Sequence, residues 1–520
     1  MILDRVCMQG NAAGQLNGLE QVNLDEITED KNLTRRAARG LSWSGATLLA
    51  RTVLNIFVTA VLARLLSPQE YGVVGAALIV GALGNTIANL GMSNVVVQRK
   101  DLDKRHMGTI SFLSLLIAVG LAVLQWLLAG QIADFLHVPE LVLVSRVLAV
   151  MMVANAFNLT AEAILSRHLK FKISSIARLV AWIASHVGLA IPLAYLGFSY
   201  WALVVAYMAE AFILAAIYFF IARDYLVSPR FDIQSYRDIR RQSLGYSLAG
   251  ISSFTAKYID NVIVARLIGT AELGIYSRAY YLIAMPANLF GDLNKSVVFP
   301  LLSKVHHDKA RLRTAQLKGY ALAAALALPT SAFLCCFAKE LVLTVLGQKW
   351  MDAVAPIIVF SAVIYFRVGY RVCAAVTLAT GQSYRTASMQ IIYMALVASL
   401  AFFSAPYGVN AVAFAVSGAI ATSFFLYAAI SCRITGLSAL DFALVHMPPV
   451  AFAAVVFATG SAVKMLLGGS PAYLVLAIGL LVVGTLSVVT LYLRASLLFG
   501  KYGVEVLQSV TSKKLKWTLR

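Results

Sequence analysis

The sequence predicts an all-α integral membrane protein: fourteen transmembrane helices, in two six-helix lobes related by a parallel repeat, plus two accessory helices. Three observations predict it. First, 60% of the 520 residues are hydrophobic and only 13% are charged, whereas a soluble domain runs at about half apolar and a quarter charged. So little polar surface excludes a large soluble enzyme and a disordered or fibrous protein. Second, from residue 41 the chain is a succession of apolar runs near the roughly 20 residues that cross a bilayer as helix. Third, the segments between the runs alternate in charge.

In chain order, residues 1–40 read as a polar cytoplasmic tail, and 1–30 lack the apolar core of a signal peptide. Spans 41–66, 72–97, 109–129, 141–165, 176–195 and 199–222 make an N-lobe, 41–222. Residues 223–243 read as a cytoplasmic linker, with an interfacial helix starting at Pro229. Spans 244–268, 279–302, 319–338, 354–379, 388–405 and 409–431 make a C-lobe, 244–431. Spans 447–466 and 472–494 are the accessory pair, 447–494, and 495–520 is a basic cytoplasmic tail whose Lys513, Lys514, Lys516 and Arg520 suit anionic headgroups.

Thirty Lys and Arg fall in segment 31–40, every second loop and the C-terminal segment, against three (Arg278, Lys339 and Lys349) in the remaining loops. The positive-inside rule then puts both termini in the cytoplasm. Topology thus accounts for the net charge of +19, and nucleic acid is not needed to explain it. The five cysteines, Cys7, Cys335, Cys336, Cys373 and Cys432, match no zinc or redox spacing. They read as free thiols, and no metal or cofactor is expected.

The first and seventh spans end alike. At an offset of 202, Ala63/Ala265, Arg64/Arg266, Leu65/Leu267, Glu70/Glu272 and Gly72/Gly274 are identical. An even number of spans separates the copies, so they share an orientation and relate about an axis along the membrane normal. Arg64 and Arg266 are expected to bond helix-terminal carbonyls, with Glu70 and Glu272 placed to pair with them.

Ionisable groups at membrane depth are costly and face a wet cavity or a partner. The candidates for binding in a central cavity between the lobes are Arg51, Asn55, Lys257, Lys295, Arg367 and Arg371. Asp260, Asp292 and Glu210 are candidates to take up a coupling ion. Lys257 and Asp260 are three apart, as are Asp292 and Lys295, so each pair is expected on one helix face, where it could equally be a self-compensated packing pair. Arg367 and Arg371, four apart, present two charges on one face. They suit an anionic headgroup, or could reach across to Asp260 or Asp292. His186 reads as a bonded packing residue and Glu162 as surface-exposed.

Residues 36–435 resemble bacterial polysaccharide flippases of the Wzx type, in the WzxC-like branch of the polysaccharide-transport family, within the exporter superfamily of multidrug and lipid II transporters. The stretches are RGLSWS (39–44), ARLLSPQEYGVV (63–74), LGFSYWALV (196–204), DNVIVARLIGTAELGIYSRAY (260–280) and VLGQKWMDAVAP (345–356) among others. The resemblance implies a flippase carrying polyprenyl-pyrophosphate-linked oligosaccharide units across the bacterial inner membrane by alternating access, for exopolysaccharide, capsule or lipopolysaccharide. It implies no enzyme activity, and membrane lipids and the polymerase machinery as neighbours. It also implies basic cavity residues, which by position would be Arg51, Lys257, Lys295, Arg367 and Arg371. A cation-coupled drug antiporter of the same fold is one alternative. A polysaccharide polymerase or ligase is another, disfavoured because the outward loops are short and the longest, 339–353, holds no His.

Overall fold

The computed structural model describes residues 47, 50–89, 96, 103–168, 170–223, 228–293, 302, 305 and 307–510. The two terminal tails, 1–40 and 511–520, and Lys295 lie outside them, as does the side chain of Asp292.

The described chain is helical, and its helices begin and end where the local chemistry dictates. We number them α1 (50–65), α2 (Pro68–Asn89), α3 (Lys104–Leu136) and α4 (Leu141–Arg167). Helix α5 starts at Phe171–Trp182 and runs through a π-helical stretch, Ile183–Ala190, into Ile191–Tyr195. Then come α6 (Trp201–Ala222), α7 (Ile233–Leu267), α8 (Thr270–Leu293) and α9 (Lys309–Cys336). Helix α10 is broken at Val363 into Val354–Ala362 and Ile364–Ala379. The last are α11 (Ser383–Ser404), α12 (Val409–Thr435), α13 (Ala439–Leu466) and α14 (Ala472–Val510). Among the described residues, eleven helical stretches are long and apolar enough to cross a membrane. Helices α1, α7 and α8 fall outside that set; α7 and α8 carry several charged and polar groups.

Polar caps start several helices, because the first turn has N–H groups with no intrahelical partner. Asp103 accepts from His106 N at 2.9 Å, Asp232 from Ser235 N at 2.8 Å, and Asp308 from Ala310 N at 2.9 Å. Ser438 does the same for α13, accepting from Asp441 N at 3.1 Å. All four caps lie at ends that the charge alternation assigns to the cytoplasm.

Several boundaries differ from the sequence reading. Asp232 starts α7 outright, so the separate interfacial helix expected from Pro229 is instead the first turns of α7. Helix α8 begins at Thr270, which puts Arg278 inside a helix, stacked on the Tyr71 ring at 4.3 Å, rather than in a loop. Helices α9, α13 and α14 extend past their apolar runs, since polar residues continue a helix into water without cost to its backbone bonds.

Glu70 and Glu272 do not pair with Arg64 and Arg266. Ser67 and Glu70 form a capping box instead: the Glu70 carboxylate accepts from Ser67 N at 2.6 Å and from Ser67 Oγ at 2.8 Å. Glu272 Oε2 lies close over Gly269 at the start of α8. The arginines reach across to the other half of the chain. Arg64 Nη2 donates to Thr344 O at 2.9 Å, and Arg266 Nη1 to Asp134 O at 3.3 Å, at the last turn of α3. Trp350, fully buried, donates from Nε1 to Ala63 O at 2.8 Å.

At the same end, α2 and α8 cross at their first turns. A Cβ on Gly72 would lie 1.7 Å from Thr270 O, and one on Gly274 would lie 1.9 Å from Pro68 O. Both contacts obey the repeat offset, since Pro68 maps onto Thr270 and Gly72 onto Gly274. Only glycine allows backbones this close. Helices α13 and α14 pack on each other and on α9. They are tied there by Lys464–Glu340 at 3.1 Å and Lys318–Glu505 at 3.0 Å.

Candidate functional site

Helices α7, α8, α10, α11 and α12 surround a cavity of about 860 Å³. Lys257 and Ser253 come from α7, Tyr280 and Asn288 from α8, and Arg367, Tyr370 and Arg371 from α10. Helix α11 adds Thr386, Gln390, Tyr393 and Met394, and α12 adds Ser423. All the lining residues belong to the second half of the chain.

Three of the cations expected in a central cavity meet here. Lys257 is exposed to the cavity, with its ammonium 4.8 Å from the Tyr258 ring centre. Arg371 donates to Ala287 O at 3.3 Å and to Asn288 Oδ1 at 3.4 Å, across to α8. The Arg367 guanidinium lies over the Tyr280 ring at 4.2 Å and bonds its hydroxyl. The break at Val363 aims this second segment of α10.

Asp260 stands behind the wall. It is 3% exposed and accepts from the Tyr276 hydroxyl at 2.7 Å, from Asn261 N at 2.8 Å and from Asn261 Nδ2 at 2.9 Å. It is therefore not the partner of Lys257 that their spacing suggested. Three residues turn a helix about 60° short of a full turn, enough to send one side chain to the cavity and the other into packing. Tyr276 stacks on Tyr280, which places Asp260 two rings away from Arg367.

Arg51, Asn55 and Glu210 do not line this cavity. Arg51 Nη2 meets Glu210 Oε1 at 3.1 Å, and Glu210 Oε2 lies 3.7 Å from His186 Nδ1. His186, on the π-helical stretch of α5, stacks on Trp182 at 5.1 Å and meets the edge of Tyr207. It is buried and bonded, as the sequence reading has it, but against a carboxylate. Asn55 accepts from Thr59 Oγ1 at 3.2 Å. Glu162 is paired with Arg178 rather than free at a surface. The sequence reading missed Tyr280, Tyr370, Gln390 and Tyr393. Their signal in the sequence is polar aromatic and amide groups inside apolar runs, with no charge to mark them.

Among the described residues, eleven helical stretches long and apolar enough to cross a membrane, with a cavity lined by three cations, define a class, the multi-pass membrane proteins. Comparison with known proteins narrows it. The family of polysaccharide biosynthesis proteins matches residues 61–355, and the chain belongs to that family. It is 24% identical over 323 residues to an uncharacterized membrane protein in the cps region of Klebsiella pneumoniae, covering 62% of this chain and 66% of that one. It is 21% identical over 328 residues to the lipopolysaccharide biosynthesis protein WzxC of Escherichia coli K12, covering 63% of this chain and 66% of that protein. These matches span just under two thirds of the relatives' length. Among solved structures, the fold is similar to the lipid II flippase MurJ in an inward closed conformation, with a TM-score of 0.70 and 14% identity, over 88% of this chain and 99% of that one.

Proposed function

We propose that the chain is a flippase moving polyprenyl-pyrophosphate-linked oligosaccharide units across the bacterial inner membrane, both termini cytoplasmic. The observation that carries this is the convergence of Lys257, Arg367 and Arg371 on one cavity, within a polysaccharide biosynthesis family. Two like-oriented six-helix lobes, 41–222 and 244–431, related about the membrane normal, rock around the central cavity, with fourteen spans in all. The reciprocal glycine contact, which obeys the repeat offset, supports that symmetry. A pyrophosphate desolvated from water needs several cationic donors at once, and guanidinium with ammonium supplies them. The polyprenyl tail stays in lipid while the headgroup crosses.

Asp260 and Glu210 are the coupling-ion candidates among the described side chains. Glu210 touches Arg51 and Asp260 stands two tyrosine rings from Arg367, so taking up a proton or Na⁺ changes the field felt by either arginine and favours one conformation. Arg51 and Asn55 belong to this reading as groups the cargo meets when the lobes change their contact.

The test is the double variant Arg367→Ala, Arg371→Ala. Flipping of a lipid-linked oligosaccharide in proteoliposomes is expected to be abolished, with insertion into the membrane unchanged. Unaltered transport by that variant would refute the site.

A further inference from the structure

The cations account for only part of the cavity wall. Helix α11 contributes Thr386, Gln390, Tyr393 and Met394 to it, and no charge. Thr386 spends its hydroxyl on Thr377 Oγ1 at 2.8 Å, and Tyr280 spends its own on Arg367. Gln390, Tyr393 and neighbouring Tyr370 of α10 differ. None has a side-chain hydrogen bond to another described residue, and none is among the sealed orphan polar groups. Their polar atoms therefore face the cavity's own solvent. The Tyr370 ring is held by Tyr427, with centres 5.8 Å apart.

We propose that Gln390, Tyr393 and Tyr370 form a carbohydrate subsite, adjoining the cations that hold the phosphate. A sugar ring has a C–H-rich face and a rim of hydroxyls, each both donor and acceptor. A phenol ring takes the first, and phenol hydroxyl and carboxamide take the second, since both groups donate and accept. A neutral wall also suits a neutral sugar, which has no charge of its own for a buried ion to pair with. The cavity thus has two poles: Lys257 and Arg371 recognise what every lipid-linked unit shares, and the α11 side recognises the glycan. This rests on the flippase reading and adds to it the residues that would set which glycan is carried.

The experiment measures affinity of the full chain in nanodiscs for two kinds of probe. One is undecaprenyl pyrophosphate. The other is the same lipid bearing a single glucose, galactose or N-acetylglucosamine. The native chain is expected to bind at least one glycosylated lipid about tenfold tighter than the bare one. Tyr393→Ala and Gln390→Leu are expected to erase that gap while leaving bare-lipid affinity unchanged, which also shows that the variants fold. Tyr393→Phe, which keeps the ring, retains most of it. Arg371→Gln lowers both affinities together and leaves the gap. Equal binding of bare and all glycosylated lipids by the native chain overturns the subsite, as does a gap that survives Tyr393→Ala and Gln390→Leu. Failure of the bare lipid to bind at all overturns instead the flippase reading on which it rests.

Discussion

Asp260 and Lys257 sit one turn apart on α7, yet one is sealed in packing and the other meets solvent. The buried carboxylate organises its surroundings, since the Tyr276 hydroxyl and the Asn261 amide both end on it. Asp260→Ala strands those two donors and is expected to cost about 2–4 kcal/mol, at about 1–3 kcal/mol per unsatisfied group with partial relief by water. Thermal unfolding in detergent reads it. Asp260→Asn keeps an acceptor in place, so most of the stability is expected to return, while any dependence of transport on the coupling ion is lost. That the chain carries ionisable groups at depth was plain from composition, because few charges interrupt the apolar runs. Which of them share a cavity was not. Arg51 and Arg367 read alike in sequence, and only packing sends one to Glu210 and the other to Tyr280.

Helix existence was legible and helix ends were less so, for one physical reason. Apolar runs mark the part of a helix inside lipid, whereas a helix stops where its backbone finds another partner. Asp103 and Asp232 do this at the other terminus, where they set the first residue of their helices. Hydrogen bonding holds both carboxyls below the usual aspartate range: chiefly the His106 backbone N–H for Asp103, and the Ser235 hydroxyl followed by its N–H for Asp232. A carboxylate lowered by folding adds stability that is complete above its unfolded value and is lost as pH falls through the folded one. The melting temperature in detergent is therefore expected to drop as pH is taken below the ordinary aspartate range, and less steeply in an Asp103→Asn, Asp232→Asn variant. Glu70 was legible as a repeat residue and misread as an ion-pair partner. Its spacing three residues after Ser67 is the capping signal, and Glu70→Ala is expected to cost about 1 kcal/mol, measured by the same unfolding.

For the whole molecule, the identical residues of the repeat turn out to be fasteners. Arg64, Arg266, Gly72 and Gly274 lock the two halves at one end. Gly72→Leu or Gly274→Leu forces that crossing apart. In a chain with its own cysteines replaced by serine, either is expected to raise labelling of a cysteine placed at Ser277 by a membrane-impermeant maleimide added from the side opposite the basic loops. Unchanged labelling would show that the crossing is not a gate. The positions that differ between the repeats carry the chemistry: Asn55 corresponds to Lys257, and the cations of the cavity all lie in the second copy. The frame was built twice and its electric charge installed once. On the flippase reading proposed above, a bound anion sits off the pseudo-axis and travels as a passenger of the second half. On the same reading the first half moves past it, and Arg51, held by Glu210 at 3.1 Å, meets the load only when the halves change their contact.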